Sequence, residues 1–255
     1  MNTAIVCALK DEASVNISKQ LHKIGLPSWA SYYEFDIDTV FLPLEKIKEE
    51  NIIVLSKHAS SAQTKSFTTH SLGNFSTAEL GGEEKTLAGA LPILNANYVR
   101  ALQEKKELNN LHEFDVCYEV THHGPTPKKN VCFVELGSTK KEWVNENYAK
   151  IIAEVVVEST QKENNDKIVI GIGGGHYAPD FTKLSLRKNY SFGHICPQYA
   201  LDFLDAELLE QMISKTNASE IVIDWKGLKG NKEKVVSLCE SSGLPYERVQ
   251  RLLKN

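Results

Sequence analysis

Residues 167–176 read Lys-Ile-Val-Ile-Gly-Ile-Gly-Gly-Gly-His, an apolar, β-branched run that passes directly into three glycines and a histidine. A short apolar run with a glycine boundary predicts a buried strand, Lys167–Ile172, followed by a tight loop. Glycines let backbone N–H groups approach a ligand closely, so Gly173, Gly174 and Gly175 are predicted to bind substrate. A purely structural turn would use the same glycines, and this alternative stays open.

The glycine run does not match a nucleotide-binding loop. His176 occupies the sixth position, where a dinucleotide fingerprint needs Gly or Ala, and the Gly-Lys-Ser/Thr ending of a phosphate-binding loop is missing. The following residues, 177–179, also do not predict the start of a helix. The run therefore indicates a ligand loop of another kind, and Tyr177 beside it is a predicted substrate-binding residue.

Short β-branched runs alternate with helix-period segments along the chain, which is typical of an α/β sheet covered on both faces. The predicted strands are Thr3–Leu9, Thr39–Leu42, Ile52–Ser56, Asp115–Thr121, Val131–Leu136, Lys167–Ile172 and Glu220–Asp224. The predicted helices are Asp11–Ile24, Lys85–Glu107, Lys141–Thr160, Asp205–Ser214, Asn231–Ser241 and Tyr246–Leu253. We expect one domain over residues 1–255, since no linker or repeat marks a boundary.

Three local features refine these predictions. Ser138 or Thr139 is expected to cap the helix Lys141–Thr160, and Pro92 is expected in the first turns of its helix or at a bend. The segment Lys57–Glu84 is polar and is predicted to be a long loop. A loop of that length inside a compact domain is usually functional.

Composition limits the class of protein. The five cysteines are scattered and form no metal or disulfide pattern, which favours a reducing compartment, the cytoplasm. No apolar run reaches eighteen residues, so we expect no membrane span. A net charge of -4 disfavours indiscriminate nucleic-acid binding but leaves room for a local basic face. Candidates for such a face, each equally explained as solvated surface, are Lys128-Lys129, Lys140-Lys141, Arg187-Lys188, and Arg248 with Arg251 and Lys254.

Histidines carry the strongest functional signal. Six of the eight lie at the ends of predicted strands or in adjoining polar loops: His58, His70, His122, His123, His176 and His194. Ligands of open α/β sheets bind beyond the carboxyl ends of the strands, so we expect these loops to converge on one cleft. Any one of them is equally explained as a loop hydrogen-bonder. The other two, His22 and His112, lie on or beside helices and are interpreted as structural or exposed.

A second polar group follows the last predicted strand. Asp224, Trp225 and Lys226 place an acid, an aromatic ring and a base together. Lys226 could neutralise a phosphate or a developing oxyanion, and Trp225 could stack on a base, although a tryptophan is more often part of the core.

Taken together, several strings resemble the archaeal and plant D-aminoacyl-tRNA deacylases, in the right order over nearly the whole chain. They are 56–58 (Ser-Lys-His), 70–74 (His-Ser-Leu-Gly-Asn), 119–125 (Glu-Val-Thr-His-His-Gly-Pro), 135–138 (Glu-Leu-Gly-Ser), 171–179, 193–194 (Gly-His) and 224–228. Thr-His-His-Gly-Pro and Gly-Gly-Gly-His-Tyr-Ala-Pro are the most specific of these.

The resemblance implies a three-layer α/β/α sandwich of the phosphorylase/hydrolase-like kind, with a mixed, mostly parallel central sheet. It also implies hydrolysis of the ester that joins a D-amino acid, such as D-tyrosine, to tRNA, with aminoacylated tRNA as the partner and zinc as the cofactor. One departure is Lys57, where the family's string has arginine; lysine keeps the charge but loses the planar fork. We expect a monomer without an obligate protein partner.

For this chemistry the enzyme must place a water molecule, take its proton and stabilise an oxyanion. The predicted metal ligands are His122, His123, Glu135 and His194. The predicted catalytic residues are His58, His70, His176 and Lys226. The predicted substrate-binding residues are Asn74, Gly173, Gly174, Gly175, Tyr177 and Asp224. The histidines would activate water either through Zn²⁺ or as direct bases, and the sequence leaves both forms open.

Adjacent side chains on a regular strand point to opposite faces, so His122 and His123 share one site only if the strand has ended before them. Gly124 and Pro125 favour such an ending. Two alternative functions remain at this level: a zinc-dependent peptidase or amidase of similar fold, and a non-catalytic tRNA-binding module.

Overall fold

The computed structural model describes residues 2–254 as thirteen strands, eight α-helices and four short 3-10 turns. The strands are β1 (Thr3–Ala8), β2 (Ala30–Phe35), β3 (Asn51–Ala59), β4 (Ser66–His70), β5 (Gly73–Asn74), β6 (Thr86–Leu87), β7 (Gly89–Ala90), β8 (Asp115–Tyr118), β9 (Asn130–Ser138), β10 (Lys167–Ile172), β11 (Tyr190–Cys196), β12 (Glu220–Ile223) and β13 (Tyr246–Arg248). The helices are α1 (Glu12–Ile24), α2 (Pro92–Leu108), α3 (Lys140–Trp143), α4 (Glu146–Ser159), α5 (Pro179–Arg187), α6 (Ala206–Thr216), α7 (Lys232–Ser242) and α8 (Val249–Leu252).

The strands form two large sheets whose ends meet. The first has the order β2-β1-β3-β9-β4-β8, with β7 also paired to β9. All of its pairs are parallel except β4 with β9. The second sheet has the order β11-β10-β12-β13 and is parallel throughout. The sheets touch where Thr121 N–H donates to Ile195 O at 2.9 Å and Val120 N–H donates to His176 O at 2.9 Å.

Helices and, on one face of the first sheet, a segment of 3-10 turns cover the sheets on both sides. On the first sheet, Ile5 belongs to an apolar cluster that includes residues of α1, α2 and α4, whereas Val6 on the opposite face shares a cluster with Leu44. On the second sheet, one face packs on α5 and α8 and the other on α6 and α7. This arrangement confirms the predicted α/β class with its mixed, mostly parallel sheet. No helix within residues 2–254 is both long enough and apolar enough to cross a membrane.

A buried carboxylate joins three segments of the first sheet. Asp11 caps α1 by accepting from Ser14 N–H at 2.9 Å. Its other oxygen accepts from the Thr39 hydroxyl and from Lys57 N–H, each at 2.9 Å. Burial raises the pKa of Asp11 even though these hydrogen bonds favour its charged form. The Asp11 carboxylate therefore fixes the backbone of Lys57, the residue that precedes His58 on β3.

Several predicted boundaries were wrong. Thr39–Leu42 is not a strand: Thr39–Phe41 is a 3-10 turn whose threonine bonds Asp11. Lys57–Glu84 is not one loop, because β3 continues through Ala59 and β4 lies inside it.

The helix boundaries also differ from the predictions. The helix predicted from Lys85 starts only at Pro92, which occupies its first turn as expected. The predicted helix Lys141–Thr160 is two helices, because Asn145 caps the second one, while Thr139 forms a capping box with Glu142. A helix does begin at Pro179, so the prediction that residues 177–179 do not start one was wrong.

The remaining differences are missed strands. The strands that were not predicted are β2, β4, β5, β6, β7, β11 and β13. The predicted helix Tyr246–Leu253 divides into β13 and a single helical turn, α8. The five cysteines are all buried and free, as their apolar surroundings indicated.

We predict that Asp11→Ala lowers the free energy of unfolding by about 2–4 kcal/mol, because it removes a helix cap and leaves buried hydrogen-bond donors without an acceptor. Urea denaturation followed by circular dichroism measures this. Asp38→Ala is the matched control, since Asp38 is exposed and its side chain caps nothing; it should change stability by less than about 0.5 kcal/mol. Equal losses in the two variants would contradict the assigned role of Asp11.

Candidate active site

One face of the first sheet carries the first half of the site. Glu135 on β9 lies between Ser56 of β3 and Thr68 of β4 in the sheet register. His58 and His70 each lie two residues further along their strands, so they share the face of Glu135. Both imidazoles reach its carboxylate, with His58 Nδ1 and His70 Nε2 each 3.6 Å from a carboxylate oxygen.

Gly137 makes room for His58. The two residues are paired across β3 and β9. A Cβ atom on Gly137 would lie 2.9 Å from His58 Cδ2 and 2.6 Å from Ser66 Oγ. Since real Cβ atoms do not approach so closely, any side chain here would push the imidazole off Glu135. The glycine of the Glu-Leu-Gly-Ser string therefore positions a histidine on the neighbouring strand.

Glu119 is the centre of the second half. It follows the last residue of β8, is 1% exposed, and accepts a hydrogen bond from His176 Nε2 at 2.7 Å. His58 Nδ1 lies 2.9 Å from its other oxygen, and His122 Nε2 lies 3.6 Å from the first. The opposite ring nitrogen of His58 hydrogen-bonds the Tyr177 hydroxyl at 3.0 Å. This carboxylate thus joins the first sheet to the glycine loop of the second.

His122 and His123 lie in the same site because β8 has already ended at Tyr118. His123 has a positive φ of 45°, which breaks the alternation of a strand. The His122 ring centroid lies 4.4 Å from that of His70 and 4.7 Å from that of His176. The expectation that this strand ends before the two histidines is confirmed.

The backbone fixes the tautomers of three of these imidazoles. Nδ1 lies beside a carbonyl oxygen in His70 (3.2 Å), His122 (2.8 Å) and His123 (2.7 Å). A carbonyl only accepts, so each Nδ1 must carry a proton, and Nε2 keeps its lone pair in the rings that are neutral. Burial lowers the pKa of His122 and His123 and so favours their neutral form, whereas Glu135 raises the pKa of His70 despite its burial. This is the arrangement by which outer hydrogen bonds orient histidines that hold a metal.

The same residues could hold a divalent cation. Three sets each bring one ligand atom per residue within 4.8 Å of the others: His70 with His122 and His123; His58 with Glu119 and His176; and His70 with Glu119 and Glu135. His70 Nε2 and Glu119 Oε1 are buried without a well-directed hydrogen bond, the close contact of Oε1 with His58 being poorly aligned. Nitrogen and carboxylate donors are those that zinc prefers, so the donor set fits that ion.

The charges of the cluster follow from its burial. Burial alone would raise the pKa of Glu119, but the neighbouring His176 and His58 hold it well below its usual range. Burial would lower the pKa of His58, yet Glu119 and Glu135 raise it to about 11. Burial and then the nearby His70 lower the pKa of His123 to about 4. The site therefore combines charged carboxylates, a charged His58 and a neutral His123.

A cavity of about 160 Å³ opens beside His122 and His123. Asn74 and Thr121 also line it, and its rim carries two aromatic rings, Tyr199 and Phe203, which are 62% and 47% exposed. A larger cavity, about 660 Å³, lies near Ile168 at the amino end of β10. We assign the site to the smaller cavity because only that one contacts the histidine cluster.

The structure separates some predicted site residues from the cluster. His194, predicted as a metal ligand, hydrogen-bonds through both ring nitrogens, to Ala88 O at 2.9 Å and Thr121 Oγ1 at 3.1 Å. Burial lowers its pKa to about 4. Neither nitrogen is left to hold an ion, so the assignment of His194 was wrong. It instead ties β11 to the residues that precede His122.

Part of the glycine loop contacts other segments of the chain, and part of it faces solvent. Gly173 N–H donates to Cys196 O at 2.9 Å, so this N–H group does not face a substrate as predicted. Gly174 packs against Gly227, whereas Gly175 is exposed. The loop leads directly into His176, which is its main contribution to the site.

Three further predicted residues, two for substrate binding and one for catalysis, have other contacts. Asn74 donates its amide to Gly81 O at 2.9 Å while lining the cavity. Asp224 accepts from Gln250 at 2.9 Å. Lys226 is exposed and, within residues 2–254, contacts none of the histidines.

Sequence reasoning missed three functional positions. Glu119 stood in the family string but was not singled out, although an acid three residues before a histidine at a strand end was the available signal. Tyr199 and Phe203 carried no signal, because only tertiary structure shows them to be exposed beside the cavity.

Fold and site together define an α/β protein with a buried histidine and carboxylate centre of the kind that hydrolyses esters and amides. The chain belongs to the D-aminoacyl-tRNA deacylase family, whose model matches residues 45–247. It is 36% identical to the D-aminoacyl-tRNA deacylase of Methanocaldococcus jannaschii, over 98% of this chain and 100% of that one. It is 38% identical to that of Pyrococcus furiosus, over 84% and 79% of the two chains. A crystal structure of a conserved protein of unknown function superimposes with a TM-score of 0.92 at 30% identity, covering 100% of this chain and 97% of the other.

In metal-free protein we predict that Glu119→Gln lowers the pKa of His58 from about 11, because one of its two carboxylate partners loses its charge. Since folding raises this pKa above the usual 6.5, the ion pair stabilises the fold fully below about pH 6.5 and is lost as pH rises towards 11. Titration of the imidazole ring signals by NMR measures it. The ring signal of the exposed His112 should be identical in both proteins. An unchanged pKa of His58 in the Glu119→Gln variant would contradict the assigned ion pair between His58 and Glu119.

Proposed function

We propose that the chain hydrolyses the ester bond of D-aminoacyl-tRNA, releasing the free D-amino acid and tRNA. The observation that carries this proposal is the buried Glu119 and histidine cluster opening on an aromatic-rimmed cavity, in a chain of this family. The relatives are named D-aminoacyl-tRNA deacylases. These names do not favour either alternative, a zinc-dependent peptidase or amidase and a non-catalytic tRNA-binding module.

His176 is the proposed general base. Glu119 is charged and accepts a hydrogen bond from the Nε2–H group of His176, so Nδ1 of that ring keeps the lone pair that can take a proton from water. The buried carboxylate would then stabilise the imidazolium, as the acid of a catalytic triad does. His58 keeps Glu119 charged, and the Tyr177 hydroxyl orients His58.

We propose His70, His122 and His123 as zinc ligands, with Glu135 as the nearby carboxylate. The Nε2 lone pairs of His122 and His123 support this choice, as does His70 Nε2, which is buried and makes no hydrogen bond within residues 2–254. When bound, zinc would polarise the ester carbonyl and lower the pKa of a water molecule. Without it, His176 remains a direct base, so both forms of the mechanism keep the same general base.

The cavity beside the histidines is the proposed pocket for the aminoacyl end. Tyr199 and Phe203 offer π-faces to an adenine or to an aromatic amino acid side chain, and such stacking is worth about 1–3 kcal/mol per base. We further propose that the protein acts in the cytoplasm, which its tRNA-related family and its free, buried cysteines support, and that it acts as a monomer.

Incubation with D-tyrosyl-tRNA and L-tyrosyl-tRNA tests the activity. We expect the D-ester alone to be lost, and His176→Ala to lower kcat by about 10²–10⁴-fold because the general base is gone. His112→Ala, which changes an exposed histidine away from the cluster, should retain full activity. Survival of both esters with the unmodified protein, with and without added zinc, would refute the proposed function.

Titration calorimetry of metal-free protein with zinc tests the ligand set. One zinc should bind per chain, and His122→Ala should weaken binding by more than about 100-fold, since even outer-shell losses cost 10–100-fold. His22→Ala is the control, because His22 is exposed on α1. If the His122 variant binds zinc as tightly as the unmodified protein, the proposed ligand set is wrong.

A further inference from the structure

We propose that a basic face at the carboxyl ends of β12 and β13 binds the phosphates of the tRNA acceptor stem; this inference rests on the proposed function. We define the carboxyl-end basic face as Lys226, Lys229, Lys232, Arg248 and Arg251. With the exception of the partly buried Arg248, all of these side chains are exposed.

The sheet places this face beside the histidine cluster. Ile172, the last residue of β10, pairs with Ile223 of β12, and Ile223 pairs with Arg248 of β13. Adjacent strands lie about 4.8 Å apart, so Arg248 is about 10 Å across the sheet from the start of the glycine loop. That loop ends at His176, the proposed general base. A strand of RNA that delivers its terminal ester to the histidines therefore continues along this edge.

Close backbone packing makes the edge continuous. A Cβ atom on Gly227 would lie 2.3 Å from Gly174 N, so the loop carrying Lys226 rests directly on the glycine loop. Gln250 of α8 donates to Asp224 at 2.9 Å and fixes the helix that carries Arg251. The basic face is consequently rigid relative to the catalytic loop.

The guanidinium of Arg248 lies against the Trp225 ring and can still bind a partner outside the chain. Its guanidinium carbon lies 3.7 Å from the centroid of the Trp225 ring, and Lys232 Nζ lies 5.4 Å from the same ring. Among residues 2–254 no carboxylate comes within ion-pairing distance of either cation, whereas Arg251 pairs with Glu247 at 3.5 Å. A guanidinium stacked flat on a ring keeps its N–H edges for a phosphate. The Trp225 ring, which the sequence offered for base stacking, is covered by Arg248 instead.

The location also fits the shape and charge of an RNA partner. A cavity of about 450 Å³ beside Trp225 is lined by Tyr246, Arg248 and Arg251, and by Glu247, the ion-pair partner of Arg251. It thus brings cations and π-faces together, as nucleic-acid grooves do. The whole chain carries a net charge of -4, so phosphate attraction must come from a local face of this kind.

The competing basic site lies at the wrong end of the sheet. Lys128 and Lys129 precede β9 and line a cavity together with Lys215. Glu135 is six residues beyond Lys129 along the strand, which is about 20 Å at 3.3 Å per residue. A stem bound there would hold its ester away from the histidines. Lys128 is exposed and so provides a matched control.

The test compares D-tyrosyl-tRNA with adenosine that carries D-tyrosine on its ribose, a substrate without a stem. Arg248→Glu and, separately, the exposed Lys232→Glu should lower kcat/KM for D-tyrosyl-tRNA at least tenfold and change the small ester by less than about twofold. Arg248→Lys should recover part of the loss. Lys128→Glu should leave both substrates unaffected.

Binding of uncharged tRNA, followed by fluorescence anisotropy against salt concentration, tests the face even without turnover. Each lost phosphate contact should reduce the slope of log affinity against log salt by about 1. Equal losses on both substrates, unchanged tRNA binding by both charge-reversal variants, or a comparable loss in Lys128→Glu would overturn the proposal. Failure of the unmodified protein on both esters would instead refute the proposed function.

Discussion

The carboxylate of Glu119, buried and charged, is the constraint on which the site depends. A buried charge is costly unless partners compensate it, and removing one partner of such a pair typically costs about 3–5 kcal/mol. Its partners come from distant parts of the chain: His58 from β3, and His176 from the loop after β10. Folding of the two sheets and assembly of the site are therefore coupled, because neither sheet alone satisfies this carboxylate.

The reversed strand β4 brings a histidine to the second carboxylate of the site, Glu135 on β9. Because β4 runs antiparallel to β9, its His70 turns back over the middle of the sheet and reaches Glu135. A parallel β4 would carry this histidine towards the end of the sheet instead. Gly137 completes the arrangement by leaving space for His58 on the same face. The mixed strand directions of the sheet, together with the missing side chain at Gly137, thus bring His58 and His70 to the carboxylate of Glu135.

Charge is distributed unevenly across the molecule, and this unevenness fits its proposed substrate. Acids are buried in the centre and held there by histidines, while unpaired cations such as Arg248 lie along the adjacent edge. In our proposal this edge attracts the phosphates of an anionic polymer, although the whole chain carries a net charge of -4. Such an attraction would orient the ester towards the histidines.

Sequence by itself determined the α/β class, the strands with strong apolar runs, and the six histidines of interest, five of which share one site. These features depend on local periodicity and on residue type, which the sequence displays directly. It did not reveal β2, β4 or β11, because their pairing with distant partners, and not their own periodicity, makes them strands. Nor did it separate His194 from the true cluster, since the direction of a side chain depends on hydrogen bonds to residues such as Ala88. The central role of Glu119, the exposure of Tyr199 and the stacking of Arg248 on Trp225 were decided only by tertiary structure, because each depends on which distant segments the packed sheets bring into contact.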